Sequence, residues 1–246
     1  LYDTKDKKVV WSDRWQEKWN NLPTIKTNLS DGLLKALDTK PKVEHKVETT
    51  NAEAYEYYLK AKYKYEKREN LEDTEIVQGL LNKAIELDSK LLFANNLLGH
   101  TYHETDDSEK AMEIYTYTLK EAEKFNMQHI KGDSLNSIGK YYLDIGDYKN
   151  ALHYLTGALN IWEENGDIEH MATALNNIGG VYQQKGDYTT AYDHQNSSLE
   201  LRKKIGDKRR ISNGYHNLGL LCKMRGNHGE ALEYYNHSLK LSEKIS

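Results

Sequence analysis

Apolar positions recur at helical spacing through most of the chain. Leu135, Ile138, Gly139 and Tyr142 fall at i, i+3, i+4 and i+7, the stripe of an amphipathic helix. Gly146-Asp147 interrupts the stripe, because glycine enters left-handed backbone angles cheaply and so ends helices. A second stripe follows through Ala151, Leu152, Leu155, Ala158, Leu159 and Trp162. The pattern predicts two helices joined by a tight turn.

That hairpin recurs. Residues 137–162, 177–202 and 217–242 superimpose without gaps at a spacing of 40. They share Gly139/Gly179/Gly219, Gly146/Gly186/Gly226, Ala151/Ala191/Ala231 and Leu159/Leu199/Leu239. A fourth copy upstream carries Gly99, Tyr102, Ala111 and Leu119, with Asp106 at the turn glycine. A fifth, looser copy runs from Ala54 to Asp88, with Ala61 in place of the mid-helix glycine. A mid-helix glycine costs about 1 kcal/mol against alanine. Its return at one phase therefore predicts close approach of a second helix, opposite the small Ala151, Ala191 and Ala231.

The spacing of small residue, aromatic, alanine and large apolar residue resembles the tetratricopeptide repeat. It is carried by Gly99, Tyr102, Ala111, Tyr115; Gly139, Tyr142, Ala151, Leu155; Gly179, Tyr182, Ala191; and Gly219, Ala231, Tyr235. Gln195, Cys222 and Ser89 depart from the family pattern at the large apolar, aromatic and terminal proline positions. The 40-residue length resembles the longer-helix subgroup that includes kinesin light chains and spindle-orientation adaptors. The resemblance implies an all-α, right-handed superhelical solenoid of five hairpins, at about 51–90, 91–129, 130–169, 170–209 and 210–246.

Composition fits a thin solenoid. Hydrophobic residues are only 38%, yet 19 Tyr and 4 Trp are too many aromatics for simple disorder. Both prolines, Pro23 and Pro41, and three of the tryptophans lie in residues 1–50, which sets that region apart from the repeats. Residues 1–15 read as strand, polar turn and strand; Ile25, Leu29, Leu33, Leu34 and Leu37 suit a helix, and residues 40–51 a polar connector. This order resembles the end of a TolB-amino-terminal-like domain joined to tetratricopeptide repeats. In bacterial signalling proteins that pairing stands behind class III nucleotide cyclase or transcriptional-regulator domains. With Leu1 first and no signal-peptide pattern, the chain is expected to be an internal piece of a cytoplasmic protein.

The formal charge of −4 supplies no general field for nucleic acid or anionic membrane, and no apolar run is long enough to span a bilayer. No nucleotide-binding, zinc-protease, calcium-loop or serine-hydrolase motif occurs, so neither catalysis nor a cofactor is expected. Cys222, the single cysteine, reads as a small core residue. His100 and His103, followed by Glu104, come nearest to a metal pair, but they read better as surface histidines, and no metal is assigned. The densest basic run, Arg202–Lys204 with Lys208–Arg210, suits either helix-end cations or a phosphate or acidic peptide.

The clearest functional pattern is polar. Asn96, Asn136, Asn176 and His216 stand three residues before the repeat glycines, and Asn177 and Asn217 two before. Asparagine is a mediocre helix former, so its return at one phase needs a cause. In the resembled family, asparagines at this phase line the concave face and grip the backbone of an extended peptide, donor and acceptor together. Further along the same helices His100, Lys140, Gln183 and Lys223 join the candidate surface. The competing expectation is that the asparagines bridge adjacent repeats. The function expected is a protein-interaction scaffold for a peptide or partner domain. The alternatives are the regulatory tail of a nucleotide cyclase and a module that self-associates through its last hairpin or its first strand edge.

Overall fold

The computed structural model describes residues 51–244, with the backbone of Tyr2–Asp3 and Lys8–Val9. Those two short strands pair antiparallel, Tyr2 opposite Val9. Two residues a side fall short of an ordinary strand and do not establish the hairpin expected there. The remainder of that expected hairpin, helix and connector lies outside the described residues.

Ten helices follow among the described residues: α1 Ala52–Lys67, α2 Leu71–Leu87, α3 Leu92–Glu104, α4 Ser108–Lys124, α5 Gln128–Asp144, α6 Tyr148–Asn165, α7 Ile168–Gln184, α8 Tyr188–Ile205, α9 Lys208–Met224 and α10 His228–Ser242. The chain divides into two compact units, Leu1–Ile114 and Tyr115–Ser246.

In the first unit, α1 packs on α2 and α2 on α3. Ala54, Tyr55 and Ala61 of α1 meet Val77, Leu81 and Ala84 of α2 and Ala94 and Leu98 of α3 in one core. Asn51 caps α1 by accepting from the Ala54 amide at 3.1 Å, and its amide nitrogen donates to the Leu87 carbonyl at 2.9 Å. One side chain thus closes the start of one helix and the end of its partner.

In the second unit, α5/α6, α7/α8 and α9/α10 are hairpins, and α6 packs on α7 and α8 on α9. Leu143, Ala151, Leu155, Ile178 and Val181 form one layer of the core, and Ala158, Trp162 and Ala174 another. The close approach read from the recurring glycines is present. A Cβ on Gly139 would stand 2.7 Å from Leu155 Cγ and 3.0 Å from its backbone nitrogen. Gln195, at a large apolar phase, is buried with its stem against Gly179.

The helices keep a strict beat. From α4 to α10 each begins 20 residues after the last, and positive φ recurs at Asp106, Asn126, Gly146, Gly166, Gly186, Gly206 and Gly226. The residue after most of these glycines is an aspartate cap. Asp147, Asp167, Asp187 and Asp207 each accept from the amide three residues on, satisfying a donor that the helix leaves unpaired.

Candidate functional site

The asparagine phase falls on α5, α7 and α9, the first helices of their hairpins. Asn136 Oδ1 accepts from Asn177 Nδ2 at 2.9 Å, and Asn176 Oδ1 accepts from Asn217 Nδ2 at 3.2 Å. Both bonds span 41 residues, one repeat plus one, so each amide pair bridges neighbouring hairpins. The bridging expectation therefore accounts for half of each amide. Among the described residues Asn136 and Asn176 keep their NH2 groups, and Asn177 and Asn217 their carbonyls, for a ligand.

The second bridge opens onto a depression of about 460 Å³, lined by Thr173, Asn176, Arg202, Arg210, Asn213, His216 and Asn217. Three of the sequence candidates, Asn176, His216 and Asn217, meet here. Arg202, on α8, is only 8% exposed. Its Nη1 donates to the Arg210 carbonyl at 3.3 Å, and no carboxylate lies within ion-pair distance of it among the described residues. Burial first, and the Arg210 charge second, hold Arg202 below the ordinary guanidinium range. Arg210 is itself engaged, 2.6 Å from Glu169 and 3.4 Å from Asp207. The basic run is thus no single patch: Lys203 pairs with Glu200 at 2.7 Å, while Arg202 turns inward. Asp207 offsets part of the cost of that burial from beyond ion-pair distance, and an incoming carboxylate or phosphate would relieve more of it.

The sequence held a signal for Arg202. It stands 40 residues after Trp162, which is 1% exposed, so an arginine occupies a core phase.

The other candidates are not gathered in this depression. Lys140 on α5 and Lys223 on α9 are exposed, and Gln183 on α7 is half-buried, 3.5 Å from Gln195 Nε2. Asn96 and His100 belong to α3 in the first unit. Asn96 is buried, and its Oδ1 accepts no hydrogen bond among the described residues. Glu104 is held by both nitrogen–oxygen contacts of Arg68 at 2.7 Å and by Tyr65 Oη at 2.8 Å, which removes the carboxylate from the His100/His103 pair. Cys222 is fully buried, and burial, then Glu230, pushes its thiol up to about 11; it is a core residue. A larger, open groove of about 1,100 Å³ runs along α6 from Gly146 to Asn160, and none of the candidate residues lines it.

Stacked helical hairpins with a polar row on their first helices define a repeat scaffold. Three models of the tetratricopeptide repeat match, at residues 94–116, 132–165 and 170–244, together a little over half of the chain. The chain belongs to the tetratricopeptide-repeat family. No curated protein matches the sequence. Among solved structures, BtubC (BKLC) from P. vanneervenii is similar with a TM-score of 0.66 at 16% identity, over 95% of this chain and 93% of that one. A Rap protein complexed with Competence and Sporulation Factor is similar with a TM-score of 0.69 at 16% identity, over 88% of this chain and 59% of that one. MamA is similar with a TM-score of 0.50 at 20% identity, over 70% of this chain and 91% of that one. At these identities the likeness is one of fold. Among the described residues no helix is long and apolar enough to cross a membrane.

Proposed function

We propose that the chain is a non-catalytic scaffold that binds an extended, acidic segment of a partner protein across α7 and α9. The observation that carries this is Arg202: a buried guanidinium without a carboxylate partner, at the floor of a depression walled by Asn176, His216 and Asn217. The free NH2 of Asn176 and carbonyl of Asn217 suit a peptide backbone, and Arg202 suits an acidic side chain or terminal carboxylate. The Rap protein of like fold, solved with a bound factor, supports a partner-binding role for such helices. Asn136 on α5 and Asn177 on α7 extend the row; Lys140, Gln183 and Lys223 stand further along its helices, and Asn96 and His100 offer similar groups in the first unit.

A displayed library of acidic peptides, screened against the whole chain, tests the assignment. Selected peptides should lose at least about tenfold in affinity to Arg202→Met and to Asn217→Ala, with helicity kept, and should bind more weakly as salt rises. Peptides that bind these variants as well as the parent chain remove the depression from the site.

The wider proposal is that the repeats regulate a larger bacterial signalling protein, such as a class III cyclase, on the strength of the resemblance in residues 1–50. Self-association is the alternative that one observation favours: Leu232 and Leu239 of α10 are 61% and 57% exposed. Light scattering across concentration tests it, and a constant monomer mass refutes it.

A further inference from the structure

The 41-residue offset that pairs the asparagines also pairs two histidines. His129 on α5 and His170 on α7 meet edge to face, their ring centroids 4.9 Å apart. At the next junction the same offset joins Glu169 to Arg210 in an ion pair of 2.6 Å. Two imidazoles make no such pair. Carboxylates surround them instead: Asp133 Oδ2 is 3.1 Å from His129 Nδ1, Asp133 Oδ1 is 3.8 Å from His170 Nε2, and Asp167 Oδ2 is 2.7 Å from His170 Nδ1. His129, Asp167 and His170 each bring a ligating atom within 4.8 Å of the others. The cluster is sheltered. Asp167 is buried, the other three side chains are at most a third exposed, and the Trp162 ring lies 5.2 Å from that of His170.

We propose that His129, Asp133, Asp167 and His170 bind one divalent first-row transition ion of the zinc class, which clasps α5 to α7. With neutral imidazoles the four groups carry two negative charges, which one divalent ion balances. Two imidazole nitrogens and two carboxylate oxygens complete a tetrahedral set; imidazole favours zinc, nickel or copper over calcium and magnesium, which prefer oxygen alone. The donors come as two chelating pairs. His129 and Asp133 stand at i, i+4 on α5, and Asp167 and His170 at the cap and third position of α7, where Asp167 Oδ1 already accepts from the His170 amide at 3.2 Å. Donors around a tetrahedral ion with bonds near 2.0–2.1 Å stand about 3.3 Å apart. Asp133 and Asp167 now face different nitrogens of His170, so the ion would draw Asp133 toward the three donors that already lie within 4.8 Å of one another. The histidines lie 41 residues apart and form no sequence motif, so only the stacking of hairpins brings them together.

The untagged chain, stripped with chelator, is titrated with zinc chloride by calorimetry and with cobalt by visible absorption. One zinc per chain with micromolar or tighter affinity, a raised melting temperature in zinc, and the visible bands of four-coordinate cobalt are expected. His129→Asn, His170→Asn and Asp133→Asn should each weaken zinc at least about tenfold and abolish the cobalt bands, while the chelated variants keep their helicity. His103→Asn should change none of these. An absence of stoichiometric zinc, or uptake that all three cluster variants retain, overturns the proposal. Peptide binding is read separately through Arg202, so either proposal can fail without the other.

Discussion

Asp106 takes φ +60° at the turn where later repeats place Gly146, Gly186 and Gly226 at about +80°. The backbone demand is fixed by the hairpin, and an L-residue meets it at some cost, roughly 1–2 kcal/mol before local hydrogen bonding offsets part. Asp106→Gly should therefore raise stability by about 0.5–1 kcal/mol, and Gly146→Ala should lower it by about 1 kcal/mol, both read from urea midpoints. Two mid-helix glycines separate a packing role from a propensity cost. Nothing lies within 4 Å of a Cβ on Gly79, whereas on Gly139 it would run into Leu155. Gly79→Ala should stabilise by about 0.5–1 kcal/mol and Gly139→Ala should destabilise by about 1–3 kcal/mol. Equal effects at the two positions would sink the close-approach account. The repeating glycines were legible in the sequence because their phase is fixed by the backbone. Arg202 was legible as part of the basic run, but its burial only as an exception, an arginine at the phase where the preceding repeat buries Trp162.

Helices, rather than whole repeats, set the period of this structure. The sequence comparison finds 40 residues because the two helices of a hairpin differ in their small and large positions. The backbone beats at 20 from α4 onward, since each helix from α3 to α9 is followed by a residue of positive φ and most of the later ones restart on an aspartate cap. Those caps tie stability to pH. The Asn150 amide, then its side chain, holds Asp147 below the usual carboxylate value of 3.8; the Thr190 hydroxyl, then its amide, does the same for Asp187. A depressed folded value means that each aspartate contributes stability in full above about pH 4, and loses it as pH falls through the folded value. Melting temperature should thus drop on acidification below about pH 3.8, and less steeply for Asp147→Asn with Asp187→Asn, because asparagine caps without titrating. Identical acid slopes would show that these caps play no part in acid unfolding.

A fold of stacked hairpins is legible from sequence because its contacts are local: within each unit a helix meets mainly its neighbours along the chain. Sites between hairpins are less so. The asparagine row showed its phase but not its bonds, since the offset of 41 depends on how one hairpin leans on the next, and the His129–His170 pair showed nothing at all. Nearest-neighbour stacking also predicts where the second unit opens. Helix α9 buries Ser212, Gly214, Leu218, Gly219, Leu221 and Cys222, whereas α10 buries only Ala231. Its hold on the rest of the unit is partly aromatic, with the Tyr235 ring against Gly219 and the Tyr215 ring against Tyr234 and His237, and partly polar, with the Tyr192 and Tyr234 hydroxyls at 2.7 Å and Ser212 donating to the Ser238 carbonyl at 2.9 Å. An element with a single buried side chain is one of low local stability. Amide exchange in α10 should therefore run at least about tenfold faster than in α9, and Tyr234→Phe should widen the gap by loosening α10 alone. Equal protection in α9 and α10, unmoved by that substitution, would mean that the unit opens as one block and that its repeats are coupled beyond their immediate neighbours.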